Sequence, residues 1–197
     1  MSTLKATNLQ HASAASPAIV LASDGSATIA DLTATTIQGT IKSGTAVAST
    51  SGTAIDFTGI PSWVKRITVM FSGVSTNGTS PPQIQIGSSS FTTSGYVGSN
   101  TVASTNVASA VFTSGFGIGV STGQWAASLA VGGSITIILL TGNTYAAFGA
   151  VGGNASANTW ITTGTVSLSG ALDRIRITTV NGTDTFDAGT INILYEG

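Results

Sequence analysis

The chain has 197 residues, a formal net charge of −1, 7% charged residues, one histidine and no cysteine, whereas an ordinary soluble domain is about 25% charged. These numbers exclude a disulfide scaffold, a thiol nucleophile and a zinc site built on cysteine or several histidines, and they offer no clustered Lys and Arg for nucleic acid. At 42% hydrophobic the chain is also unlike apolar-poor, charge-rich disordered proteins, and a near-neutral surface of Ser, Thr and Gly favours association over life as a free monomer.

The chain opens MSTLKATNLQHASAASPAIVLASDG. Its first apolar stretch, Ala18-Ile19-Val20-Leu21-Ala22, is too short for a secretory h-region. No run of 18 apolar residues occurs, so no membrane-spanning helix is expected. Synthesis and assembly in a cytoplasm are the expectation. Residues 1–56 contain no Phe, Trp or Tyr, and every aromatic falls between Phe57 and Tyr195. Aromatics dominate core energetics, so residues 1–52 are expected to form an extended N-terminal arm or stalk and residues 53–197 a globular head. Within the arm, Ile29, Leu32, Ile37 and Ile41 recur without a helical stripe. A lone strand cannot bury such side chains. Three copies wound about one axis can, which makes these four residues candidate stalk contacts. A flexible Thr-rich linker is the alternative.

The head reads as β throughout. In 64–71, Ile67, Val69 and Phe71 fall on one face and Arg66, Thr68 and Met70 on the other. Gln83-Ile84-Gln85-Ile86 alternates. Residues 134–140 look more fully buried. Ile175 and Ile177 oppose Arg174 and Arg176, and Ile191, Ile193 and Tyr195 run in phase. Turn signals separate these runs at Asn77-Gly78, Pro81-Pro82, Gly142-Asn143, Asn181-Gly182 and Gly189. Good helix formers other than Ala are scarce. The pattern predicts an all-β fold, with an antiparallel β-sandwich of jelly-roll type as the head.

Little of this carries catalytic chemistry. The only imidazole, His11, lies in the arm, away from any pocket, so a Ser-His-Asp triad is not expected. Asp184 and Asp187 sit in a segment with turn composition, where Asp serves local backbone hydrogen bonds. A glycosidase pair or a calcium loop is the weaker reading of them. Gly115-Phe116-Gly117-Ile118-Gly119 lacks the GK[ST] and the helix of a phosphate loop, so its glycines are expected to allow close packing. Trp63, after Pro61-Ser62, is expected to plug an end of the sandwich. Tyr96, Phe116, Trp125, Tyr145 and Trp160 fall near expected loops or strand ends. They are the candidate glycan-contact residues, although burial in the core or at a subunit interface is the commoner fate of such side chains. No cofactor or metal is expected.

Three stretches resemble a known family. Residues 1–11, continuing through Ala18-Ile19-Val20-Leu21 and Asp24-Gly25-Ser26-Ala27-Thr28-Ile29, resemble the N-terminal segment of virion fibre proteins of tailed bacteriophages. Residues 54–71, with Ile60-Pro61-Ser62-Trp63 at their centre and followed by Gly73-Val74-Ser75-Thr76-Asn77-Gly78-Thr79, and the ending from Asp173 through Asn181-Gly182-Thr183-Asp184-Thr185-Phe186-Asp187-Ala188-Gly189 to Glu196 are similar to tail-fibre tip domains. Residues 88–160 resemble nothing comparable. The resemblance implies a non-enzymatic, homotrimeric virion protein. In such a protein residues 1–50 attach to another virion protein and the C-terminal head faces a host-surface glycan. A capsid head-fibre, decoration or tail structural protein without receptor binding is the second expectation. A polysaccharide depolymerase is the third.

Overall fold

The computed structural model describes residues 8–9, 19–21, 23, 27–29 and 41–197, except 105–106, 121–124 and 155–157. Among the described residues the fold is all-β and every strand pairing is antiparallel. The chain divides into two compact units, residues 1–38 and 39–197. In the first, β1 (Asn8–Leu9), β2 (Ile19–Leu21) and β3 (Ala27–Ile29) form a three-stranded sheet in that order. Ile29 pairs with Ile19 there. Leu32, Ile37 and His11 lie outside the described residues.

The second unit continues with β4 (Ile41–Ser43), β5 (Val47–Ala48), β6 (Ala54–Thr58), β7 (Arg66–Thr76), β8 (Pro82–Ser88) and β9 (Ser90–Phe91). Then come β10 (Val97–Ala103), β11 (Ala108–Phe112), β12 (Phe116–Gly117), β13 (Val131–Thr141) and β14 (Thr144–Gly153). The last three are β15 (Thr159–Ser167), β16 (Arg174–Thr179) and β17 (Phe186–Glu196). A nine-stranded sheet runs β11-β10-β15-β14-β13-β7-β17-β4, with β5 also on β17. A five-stranded sheet runs β12-β8-β16-β6, with β9 on β8.

One expectation about the arm needs correction. Residues 41–48 were expected in the arm, yet Ser43 pairs with Leu194 and Val47 with Ile191. Ser49 is buried and donates to the Ala188 carbonyl at 2.8 Å. The reason is the open edge of β17, whose unpaired backbone groups need partners. Gly44 makes the approach possible, because a Cβ there would lie 2.9 Å from Ile193 Cγ1. Ile41 therefore belongs to an edge strand of the head sheet and is exposed. It is not part of a stalk strand.

The core follows from period-two patterning. Ile67, Val69 and Phe71 of β7, Ile135 and Ile137 of β13, and Ile191 and Ile193 of β17 are buried from the large sheet. Ile84 and Ile86 of β8, Ile175 and Ile177 of β16, and Ile55 and Phe57 of β6 come from the small one. All belong to a single apolar cluster, and each fully buried side chain stabilises the fold by about 1.5–3 kcal/mol. The run at 134–140 is less buried than its composition suggests: Ile135 and Ile137 point inward, whereas Leu140 is exposed. Only one face of β13 is covered, so alternate residues of an apolar run are left outside. Gly142 (φ +56°) takes the first position of the two-residue β13–β14 turn, as a type II′ hairpin requires.

Candidate functional site

The five aromatic candidates for glycan contact are all buried in the core. Trp160 is 0% exposed, and its ring centroid lies 5.6 Å from that of Trp125. Tyr96 packs edge-on to Phe116 at 4.9 Å, and the Tyr96 hydroxyl accepts from Ile86 N and donates to the Thr92 carbonyl. The Tyr145 hydroxyl accepts from Leu172 N at 3.1 Å. Large rings contribute most when both faces are covered, so these side chains fill the apolar core and cannot stack on an external sugar. Trp63 differs in the other direction. It is only half-buried, rests on Tyr195 at 5.9 Å, and has Lys42 Nζ over its ring at 5.8 Å.

The other sequence candidates behave as structural elements. Asp184 accepts from Ser80 N and from Asn181 Nδ2, at 2.9 and 2.7 Å. Asp187 accepts from the Ser75 hydroxyl. Both carboxylates thus tie local loops. The glycines of 115–119 allow close approach, since a Cβ on Gly117 would lie 2.9 Å from Asn100 Nδ2 and one on Gly119 2.6 Å from the Trp125 ring.

A polar cleft lies on the small sheet instead. Alternation on β8 sends Ile84 and Ile86 into the core, which turns Gln83 and Gln85 to the opposite face. On β16, Ile175 and Ile177 point inward while Arg176 and Thr178 lie on the outer face. The register sets two rows across the strands: Asp56–Arg176–Gln85 and Ala54–Thr178–Gln83. Above them is a cleft of about 370 Å³, walled by Thr53, Thr93, Ser114 and Asn181. A smaller hollow of about 170 Å³, lined in part by Asn100 and Phe112, shares Gln83, Ser114 and Val180 with it.

The floor of the cleft is rigidly held. Arg176 Nε and Nη2 fork onto the two oxygens of Asp56 at 2.8 and 2.7 Å. That contact is what raises the Arg176 pKa above its ordinary value. The guanidinium also sits over Phe91, 4.1 Å from the ring centroid. Asp173, held below its usual range by its bond to Arg174, accepts from Ser89 N and so supports the tight turn into β9. Thr178 donates to the Thr53 carbonyl and Thr179 to Asn181 Oδ1, each at 2.8 Å. Ser114 holds both glutamines: its hydroxyl donates to Gln83 Oε1 at 2.9 Å, and its carbonyl accepts from Gln85 Nε2 at 3.0 Å.

The chemistry on offer is hydrogen bonding on a charge-balanced surface. Sequence reasoning placed Gln83, Gln85 and Arg176 on strands but assigned them no site. The available signal was the Gln83-Ile84-Gln85-Ile86 string, in which two of five glutamines share one strand face. No family model matches the chain, and searches of curated proteins and of solved structures found no match.

Proposed function

We propose that the protein is a virion fibre subunit of a tailed bacteriophage that attaches to a glycan on the host surface by adhesion and not by catalysis. Residues 1–38 dock it on another virion protein. The two sheets of residues 39–197 pack as a jelly-roll-like sandwich, and three copies assemble. The observation that carries this reading is the polar cleft, where side chains more than nine-tenths buried leave amide atoms open to solvent. Such atoms cost about 1–3 kcal/mol each if left dry and unpaired, so the cleft must stay wet or hold a hydrogen-bonding ligand. The resemblance of residues 1–29, 54–71 and 173–196 to fibre proteins supports the virion setting.

Assembly is supported by the face of the nine-stranded sheet turned away from the core. The cross-strand row Leu194–Thr68–Thr136–Phe148–Thr163–Ser99–Val111 crosses seven strands without a charge. Phe148 is 57% and Val111 83% exposed on it. Three identical weak sites raise avidity by about 10²–10⁴ over one.

A second reading, a capsid or tail decoration protein with no receptor, draws support from the burial of Tyr96, Trp125, Tyr145 and Trp160, which leaves none of them as a stacking platform. Virions lacking residues 53–197 separate the two. The adhesion reading expects intact particles that no longer adsorb to host cells; adsorption at the unaltered level defeats it.

A further inference from the structure

We propose that the cleft over β8 and β16 binds an uncharged, hydroxyl-rich saccharide, with adjacent ring hydroxyls read by Gln83 and Gln85. This rests on the adhesion reading and specifies its ligand. Gln83 and Gln85 are 3% and 7% exposed, so their side chains are nearly fixed. A carbonyl can only accept, so Gln85 must turn its nitrogen to the Ser114 carbonyl. Its oxygen is left as a free acceptor. The Ser114 hydroxyl donates to Gln83 Oε1, which leaves the Gln83 amide hydrogens as free donors. Among the described residues neither free atom has a further protein partner. Residues two apart on a strand face lie about 6.8 Å from each other. A fixed donor and a fixed acceptor from neighbouring positions of one strand face suit the hydroxyls of a saccharide, because each hydroxyl both donates and accepts.

Charge decides against an anionic sugar. The only cation lining the cleft, Arg176, is already forked on Asp56 and stacked on Phe91. A carboxylate or sulfate would have to displace Asp56 or lie beside it. The neighbouring Arg174 is held by Asp173. Ordered amides pre-set for a ligand lose little conformational freedom on binding, which is the condition for useful affinity from few contacts.

The test is nitrogen-15 NMR of the full chain with two panels. One holds neutral oligosaccharides of glucose, galactose, mannose and N-acetylglucosamine, and the other polygalacturonate and polysialate. The expected result is that a neutral oligosaccharide shifts the side-chain amide signals of Gln83 and Gln85, assigned from Gln83→Leu and Gln85→Leu. Gln85→Leu should weaken that binding about three- to tenfold, the worth of one hydrogen bond. Thr53→Trp, at an exposed wall position, should block it with the melting temperature unchanged. If Gln85→Leu does not fold, the wild-type shifts and Thr53→Trp decide. The proposal is overturned if no neutral sugar moves these signals, if only the anionic polymers do, or if folded variants bind like wild type. Virions carrying Thr53→Trp distinguish the two levels of inference. Normal adsorption there, with adsorption lost on removal of residues 53–197, leaves adhesion standing and removes the cleft from it.

Discussion

Tyr96 shows how one buried hydroxyl writes a pH dependence into the fold. Burial pushes its phenol up to about 12, against about 10 in an unfolded chain. The folded state therefore holds its proton where the unfolded state has released it. The stabilisation is complete below pH 10 and is lost as pH rises from about 10 to 12. Urea midpoints for wild type and Tyr96→Phe between pH 8 and 11.5 measure this, with the other tyrosines cancelling in the difference. The variant should lose the excess alkaline slope. At pH 8 it should be weaker by about 1–3 kcal/mol, because Ile86 N loses its partner. Equal slopes would refute the assignment. Glycines give a second residue-scale ranking. Gly189 has φ +97°, and a Cβ there would sit 2.5 Å from the Gly73 carbonyl oxygen. Gly142 has φ +56°, with nothing within 4 Å. Gly189→Ala should cost about 1–3 kcal/mol and exceed Gly142→Ala, as read from denaturation midpoints.

At the scale of elements, β4 and β5 decide where the head begins. They cover β17, whose other edge is taken by β7. A chain starting at Gly39 keeps that cover, whereas one starting at Thr53 exposes a long strand edge, a template for aggregation. The shorter chain should show a lower melting temperature and concentration-dependent light scattering, and the longer one should remain clear. Equal behaviour of the two would mean that β4 and β5 contribute nothing. This boundary was not legible in the sequence, because Val47 and Ser43 look like more of the Thr-rich arm until their pairing with Ile191 and Leu194 is known. Strands with strict alternation were legible. Ile67, Val69 and Phe71, or Ile175 and Ile177, announce their buried face by period alone. The cleft was hidden for the opposite reason: it needs Gln83 beside Thr178 and Gln85 beside Arg176, and cross-strand neighbours so distant in sequence leave no local pattern. The choice between glycan contact and burial for the aromatics was not legible, because closeness to a turn signal says nothing about direction; Trp160 and Tyr96 turn inward from a strand end and a loop.

For the whole molecule, low charge is a property of particular faces. Arg66 is paired with Glu196, Arg174 with Asp173 and Arg176 with Asp56. The outward face of the nine-stranded sheet carries the Arg66–Glu196 pair near one side and hydroxyl and apolar side chains elsewhere. Seven strands about 4.8 Å apart make it about 29 Å wide, and strands of five to eleven residues make it about 30 Å long on average. That is roughly 870 Å², enough for a standard interface of about 800 Å² per partner. Having no net charge to steer a basic or acidic partner, it best suits a surface like itself, and Phe148, 57% exposed beside Thr136 and Thr163, is the natural anchor. Phe148→Lys together with Ile161→Lys places like charges on every copy without touching the core. Sedimentation should show the proposed trimer for the wild type and monomer for the double variant, with the melting curve of the isolated fold retained. If the trimer survives both lysines, this face is not where copies meet, and residues 1–38 become the place to look for assembly.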